Sequence, residues 1–407
     1  MKKTFRKIHL WLSVPFGIFI TLICFSGAML VFEKEITEAL HRDLYYVNEV
    51  KEQPLPLDSL MKAVTATLPD SVEVTGVTIS SDRERAYQVS LSKPRRASIY
   101  VDQYTGEVKG RSGRLPFYDT MFHMHRWMMG SSQGFGKLLV GVSTLMLVII
   151  LITGILMWLS NRKKPLTKSL TISFTKGWPR FWHDLHVAGG IYTTVFLLAL
   201  ALTGLTWSFS WYRTGFYAMF GVEASAGGHG GGSHVVSSAD VHDEGSRGGK
   251  RGGGERDRRG GRGRRGGRGG RYHHNHDTII PASPYAHWQD VCDNLSKAYP
   301  GFRQITVSGG SASVVPAGRN SLRAGDRFDF DSATGRITGS QPYSAQDSGT
   351  RVRGGVYMVH TGGWGGMLTR IITFLAALLG ATLPLTGYYL WIRRLLKKSG
   401  QGHNHRA

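Results

Sequence analysis

Cysteine is nearly absent from this 407-residue chain, and its two copies cannot act together. Cys24 lies in an apolar run and Cys292 in a polar loop, so neither a disulfide scaffold nor a Cys-ligated metal site is predicted. Acidic residues are also scarce, 28 against 50 Lys and Arg, for a formal charge of +22. Charge of either sign is scarcest in four runs, Leu10–Phe32, Leu138–Leu159, Val187–Trp211 and Met367–Ile392, each about 22 to 26 residues long. A bilayer core takes ~20 apolar residues per helix, so four membrane spans are predicted. Helices buried in a soluble core are excluded because these runs have no polar face. The lack of ionisable groups along the spans argues against ion or proton transport, and so against a transporter subunit. The first run also lacks an A-x-A-like cleavage site and is followed directly by Glu33 and Glu35, so it is predicted to stay as an anchor. No acid–base pair or nucleophile stands out, and no residue is assigned a catalytic role of that kind.

The basic residues set an orientation. Lys2, Lys3, Arg6 and Lys7 precede the first span; Arg162, Lys163, Lys164, Lys168, Lys176 and Arg180 fill the short connection between the second and third; Arg393, Arg394, Lys397 and Lys398 follow the fourth. All fall on one side after four crossings, which makes that side cytoplasmic with both termini inside. The predicted organisation is a first span at 1–32, an outer module at 33–120, an outer histidine motif and second span at 121–160, a cytoplasmic loop at 161–182 and a third span at 183–211. A low-complexity insert at 212–280, a second outer module at 281–350, a histidine motif and fourth span at 351–393 and a cytoplasmic tail at 394–407 complete it.

Both outer loops read as small α+β modules. "LDSLMKAVTATL" has helical spacing and precedes strand-like "VEVTGVTI", "AYQVSL" and "ASIYVD"; "PYAHWQDVCDNLSKAYP" precedes "FRQITVSG". Asp102-x-x-Thr105-Gly106 and Asp331-x-x-Thr334-Gly335 predict matching turns in which glycine supplies a positive φ. The insert, about Gly227 to His276, carries eleven basic and two acidic residues between Arg247 and Arg271. Such a composition cannot bury apolar surface and predicts a solvated tether. Its place outside the membrane excludes nucleic acid as a partner. Capture of metal ions or anionic chelates by "RYHHNH", His229, His234 and His242 is the functional alternative. Its "GRGRRGG" has no strand before or helix after it and is not a nucleotide fingerprint.

Histidines stand where the apolar runs begin. His9, His183 and His186 precede spans one and three; His123, His125 and His360 precede spans two and four on the opposite side. A hydroxyl residue followed by glycine recurs in all four spans, at Ser26-Gly27, Thr153-Gly154, Thr203-Gly204 and Thr386-Gly387. Helix-interior glycine costs roughly 1 kcal/mol against alanine, so four occurrences need a cause. His9 to Gly27 and His186 to Gly204 are both eighteen residues, which selects His186 over His183; His125 to Gly154 is 29 and His360 to Gly387 is 27. Spans and modules therefore read as one unit repeated. At 1.5 Å per residue, eighteen residues cover ~27 Å, so Gly27 and Gly204 are expected at the depth of His125 and His360. Gly154 and Gly387 are expected at that of His9 and His186. Paired imidazoles can ligate a flat macrocycle from its two faces, with the glycines letting neighbouring backbones approach it. Two b-type haems are the expected cofactors, one on His9 and His186, the other on His125 and His360. His123 and His183 are the alternate ligands, and Arg6, Lys7, Arg126 and Arg370 are candidate partners for propionates. Interfacial histidines beside small helix-packing residues are the plainer reading; zinc lacks a third and fourth ligand.

"RKIHLWLSVPFG", "HRWMMGSSQGFGKLLVGVSTLMLVIILITGILMWL", "HDLHVAGGIY" with "ALTGLTW", and "HTGGWGGMLTRI" with "LTGYYLW" together resemble the PepSY-associated transmembrane helix family, and "YVDQYTGEV" and "DFDSATGRITG" resemble PepSY module ends. The likeness spans nearly the whole chain except the insert. It implies an α-helical integral membrane protein, a four-helix bundle from a duplicated unit with PepSY-like modules in the outer loops, in the bacterial inner membrane. It also implies a role in iron acquisition, with some members haem-containing reductases of ferric siderophores, and His9, His125, His186 and His360 at the matching histidine positions. The expected activity is transmembrane electron transfer to a ferric chelate or siderophore outside. The donor is expected to be a separate cytoplasmic protein or a membrane quinol, and membrane lipid is the remaining partner. Trp364, Tyr118, Trp127 and Arg126 are candidate substrate contacts. The rival reading is non-enzymatic, a PepSY membrane protein that binds or regulates an envelope partner such as a protease.

Overall fold

The computed structural model describes residues 2–94, 97–160, 170–222, 283–319 and 321–403. The Gly/Arg/His-rich insert, and Arg162, Lys163, Lys164 and Lys168 of the short connection, lie outside the described residues. Among the described residues four helices are long and apolar enough to cross a membrane. They are α1 (Lys2–Leu30), followed after a turn by α2 (Glu33–Leu40), α3 (Arg42–Tyr45) and α4 (Leu57–Ala66); then α5 (Pro116–Trp127) leads into the second span, α6 (Phe135–Leu159). The third span joins α7 (Trp178–Asp184), a π-turn at Leu185–Gly189 and α8 (Gly190–Ser208), with α9 (Ser210–Ala218) beyond it. After α10 (Trp288–Ala298) and α11 (Ser348–Thr361), the fourth span is α12 (Gly366–His403). Span three thus begins earlier than predicted and span four runs past 393, because the polar flanks at both places continue the helix.

α1 packs on α6 and α12, and α8 packs on α6 and α12, which closes the spans into a ring with α1 and α8 diagonally opposed. Small residues let the backbones approach. A Cβ on Gly380 of α12 would stand 2.7 Å from the Leu197 side chain of α8, and one on Gly141 of α6 would stand 2.8 Å from the Phe209 ring. The start of α1 and the end of α12 lie at one end of the bundle; the other end carries the sheet.

The two modules expected in the long loops are not separate bodies. Among the described residues all strands, β1 (Val74–Ser80), β2 (Tyr87–Leu91), β3 (Ser98–Val101), β4 (Val108–Arg111), β5 (Gln304–Ser308), β6 (Ser311–Val315), β7 (Asp326–Phe330) and β8 (Ile337–Gln341), form one antiparallel sheet in the order β4-β3-β2-β1-β5-β6-β7-β8. The halves join at β1 and β5, where Val77 faces Val307 and the buried Thr78 and Thr306 hydroxyls meet at 3.0 Å. Leu57, Leu60, Met61 and Val64 of α4 share one core with Trp288, Val291, Cys292 and Leu295 of α10. Burial there pushes the Cys292 thiol up, so it stays protonated. The predicted turns are present: Gly106 has φ 77° and Gly335 φ 68°, and each donates its N–H to the carbonyl of the aspartate four residues before it.

Ion pairs tie this domain to the spans. Arg114 holds Glu33 through two bonds, 2.6 and 3.2 Å, and Arg370 of α12 binds the Glu35 carboxylate and the Val31 carbonyl. Arg370 is therefore committed to Glu35, which replaces its expected role as a propionate partner with a structural one.

One core shared by both halves makes a test. Leu60→Ala, a buried truncation worth about 2–5 kcal/mol, should speed amide exchange in β5–β7 as well as β1–β3, measured by hydrogen–deuterium exchange mass spectrometry. Exchange confined to the first half would mean two independent modules.

Candidate cofactor site

Four histidine rings are clasped by the backbone of a neighbouring span. His9 of α1 meets α6, its Nδ1 standing 3.1 Å from the Ile150 carbonyl and 3.2 Å from Thr153 Oγ1. His125 of α5 reaches back to α1, 2.9 Å from the Ile23 carbonyl. The second half repeats the exchange. His186, in the π-turn, meets the Leu383 carbonyl of α12 at 3.1 Å and Thr386 Oγ1 at 2.9 Å; His360 of α11 meets the Leu200 carbonyl of α8 at 3.0 Å and Thr203 Oγ1 at 3.1 Å.

The recurrent hydroxyl-glycine pair explains the clasp. Counting from each accepting carbonyl, the hydroxyl is three residues on and the glycine four: Ile23, Ser26, Gly27; Ile150, Thr153, Gly154; Leu200, Thr203, Gly204; Leu383, Thr386, Gly387. A helical side chain leans over the preceding turn, so a Cβ at the fourth residue would stand on the side from which the ring docks. Glycine leaves it accessible, and the hydroxyl three residues on approaches the same carbonyl from its own helix. An imidazole ring fills the gap. A Cβ would stand 2.8 Å from His125 Cε1 at Gly27, 3.1 Å from His360 Cε1 at Gly204, 3.4 Å from His186 Cε1 at Gly387 and 3.6 Å from His9 Cε1 at Gly154. The pairing of depths is the one expected from residue counting, but the glycines face imidazoles.

The acceptors fix the tautomer by their chemistry. A carbonyl can only accept, so each Nδ1 must carry the proton and donate it. Thr153, Thr203 and Thr386 spend their own hydroxyl protons on helix carbonyls and offer Nδ1–H only a lone pair. Ser26 differs: it donates to the Leu22 and Ile23 carbonyls and, among the described residues, makes no bond to His125. In a neutral ring with Nδ1–H, the lone pair sits on Nε2. Metal-ligating histidines are oriented in this way, through a hydrogen bond on the other ring nitrogen.

The clasped rings then meet in pairs across the two halves. The His9 and His186 ring centres are 6.4 Å apart at the terminal end of the bundle, and those of His125 and His360 are 6.0 Å apart at the sheet end. Two imidazoles bound to opposite sides of one metal, with bonds of about 2 Å, put their ring centres roughly 6 Å apart. Among the described residues no group of three or more His, Cys, Asp or Glu could hold a metal ion. A two-imidazole donor set suits a metal whose other ligands come with it, as in an iron porphyrin. The π-turn that carries His186 is a form of helix concentrated at functional sites.

The alternate histidines are placed elsewhere. His123 Nδ1 turns to the Asp119 carbonyl of its own helix at 3.0 Å and its ring lies 5.1 Å from Trp127. His183 is exposed and sits 3.3 Å from Asp184, the carboxylate that Arg180 also binds. Among the expected substrate contacts, Tyr118 and Trp127 are buried and unavailable to a solute, whereas Trp364 is 55% exposed. Arg126 lies over the Phe122 and Trp127 rings, 5.6 Å from each centre, while Arg6 and Lys7 are exposed. Two features escaped the sequence reading. One is the carbonyl four residues before each glycine, signalled by an apolar residue in "ICFSG", "ILITG", "LALTG" and "LPLTG". The other is Trp207, whose ring centre lies 5.1 Å from that of His360.

The fold and site define a multi-pass membrane protein with histidines paired at both ends of a four-helix bundle, beneath a joined α+β domain. A model of the PepSY-associated TM region matches residues 6–394, and the chain belongs to that family. A search of curated proteins finds no match.

The clasp ranks the glycines. Alanine gains roughly 1 kcal/mol of helix propensity over glycine, and overpacking costs about 1–3 kcal/mol. Gly154→Ala, in ordinary contact distance, should leave thermal stability of the solubilised protein unchanged or slightly raised. Gly27→Ala should lower it, because His125 is tethered and cannot retreat. Equal effects at the two positions would contradict the clasp.

Proposed function

We propose that the His9–His186 and His125–His360 pairs each hold a b-type haem, and that the protein carries electrons across the bacterial inner membrane to a ferric chelate of the siderophore class. The observation that supports this most is the combination of tethered Nδ1 and paired rings in all four cases. Bound there, haem supplies one-electron transfer. His9 and His186 would present Nε2 at the cytoplasmic end, and His125 and His360 at the outer end beneath the sheet. The spans hold the pairs about eighteen residues apart along α1, or ~27 Å. Between them Ile20, Cys24 and Ala381, with Phe16, Leu147 and Ile150 packed around them, keep the interior apolar.

The substrate side follows from coordination chemistry. Oxygen-donor chelators hold hard Fe(III) more firmly than Fe(II), so a single electron loosens the metal without an acid–base residue. Trp207 and the exposed Trp364 stand on that side of the bundle. A separate cytoplasmic protein or a membrane quinol would supply the electron. The mirrored order of elements around the β1–β5 join supports two copies of one unit, each copy giving one histidine to each pair and one PepSY-like module to the sheet.

Protein purified from haem-replete cells should show sharp b-type bands in a reduced-minus-oxidised spectrum, and the reduced bands should fade when a ferric hydroxamate is added. His9→Ala and His125→Ala should each remove about half of the haem. A featureless spectrum would sink the reading, and bands that persist with the ferric chelate would remove the reductase assignment.

A further inference from the structure

A cavity of about 380 Å³ lies at the sheet end of the bundle, where α2 and α3 meet the strand ends that carry Arg85 and Arg303. Four cations line it: Lys34 of α2, Arg42 of α3, and Arg85 and Arg303 just before β2 and β5. Glu35 and Glu38 share the lining, and each already holds an arginine. Arg370 binds Glu35, and Arg85 binds Glu38 through bonds of 3.0 and 2.7 Å. Lys34 stands 3.8 Å from Glu38, and Arg42 stands 3.6 Å from Glu84 with both of those side chains mostly exposed, contacts that neutralise little. Desolvation in the cavity and the like charges of Arg85 and Arg303 outweigh Glu38 and hold the Lys34 ammonium below the usual lysine range. An anion among these groups would relieve the crowding of like charge.

The bundle itself does not demand these cations. Lys34 and Arg42 stand seven and fifteen residues after Gly27, and the residues at the same distances after Gly204 are Trp211 and Met219. The two halves share their histidine clasps but differ here in charge. Gly27 is also where His125 docks, so Lys34 stands at most ~10 Å further along the axis than the His125–His360 pair. Size and charge then narrow the occupant. The volume is near the lower end of ligand sites, about 300–1,000 Å³. Arginine forks pair with carboxylates through parallel hydrogen bonds, and Arg42 lies over the Tyr46 ring at 4.6 Å, which holds its guanidinium at the rim. A compact ligand with several carboxylates meets several of these cations at once.

We infer that this cavity docks a small ferric chelate whose iron is held by carboxylates, of the citrate class. Such a chelate holds its metal through some oxygens and turns others outward, where Lys34 and Arg42 receive them. An uncharged hydroxamate chelate brings no charge to the same cations. As a substrate site the cavity rests on the His125–His360 pair holding haem; the binding itself does not.

Isothermal titration of the full chain, as purified in a neutral detergent, tests the site with Ga(III), which matches Fe(III) in charge but is not reduced by haem. Ga(III) citrate should bind about 10-fold more tightly than the uncharged Ga(III) complex of desferrichrome, roughly the weight of one charge-assisted contact. The Lys34→Gln, Arg42→Gln double variant should lose most of that preference while its circular dichroism stays that of the wild type. If the double variant does not fold, Arg42→Gln alone should reduce the preference. No electron moves in this measurement, so a chain without haem still tests the cavity, and a haem protein that ignores Ga(III) citrate overturns the cavity alone. Equal binding of the two complexes, a preference unmoved by the charge variants, or free citrate binding as tightly as its Ga(III) complex would each overturn the proposal.

Discussion

A hydrogen bond from an imidazole Nδ1 to an uncovered helix carbonyl recurs four times in this protein, and the arrangement of the bundle follows from it. Each bond ties a histidine to a span of the same half: His9 docks on α6 and His125 of α5 on α1, while His186 docks on α12 and His360 of α11 on α8. The ring that makes the bond packs over the glycine four residues later, closely at Gly27 and Gly204 and with more room at Gly387 and Gly154. The bond also determines what the ring can do next. With the Nδ1 proton committed, the lone pair sits on Nε2, so the packing contact also sets which ring nitrogen could accept a bond.

The two halves meet at three levels. At both ends of the bundle a ring from one half faces a ring from the other, and above them β1 pairs with β5 in a single sheet. Glu33 and Glu35, the first carboxylates after the first span, lock the base of that sheet domain to Arg114 and to Arg370 of the fourth span. A shift of one half against the other would disturb both ring pairs and the sheet join together. The sheet domain thus helps set the register of the bundle as well as covering its end.

Much of this was legible in the chain. Lipid demands that backbone groups be satisfied within each span, so long uncharged runs can only be helices, and four were found. The eighteen-residue interval from His9 to Gly27 and from His186 to Gly204 gave the depth at which each histidine meets a glycine, because helical rise converts residue number to height. The Asp102 and Asp331 turns were readable from local chemistry alone. The carbonyl acceptors were not, since a backbone atom has no letter and its exposure depends on a residue one turn away. The β1–β5 join was hidden because strand pairing across more than 200 residues leaves no local mark. Arg370 looked available for a propionate because its partner, Glu35, lies 335 positions away. Tyr118 and Trp127 looked like surface aromatics because burial depends on α5 folding back onto α1.

The central claim is that four tethered imidazoles offer Nε2 in two opposed pairs. Haem iron per chain, measured together with the low-temperature electron paramagnetic resonance spectrum of the oxidised protein, tests it most directly. Two irons per chain, both low-spin and six-coordinate, are the result expected from two imidazole pairs. A protein with no haem, or with high-spin, five-coordinate iron at a single site, would contradict the account.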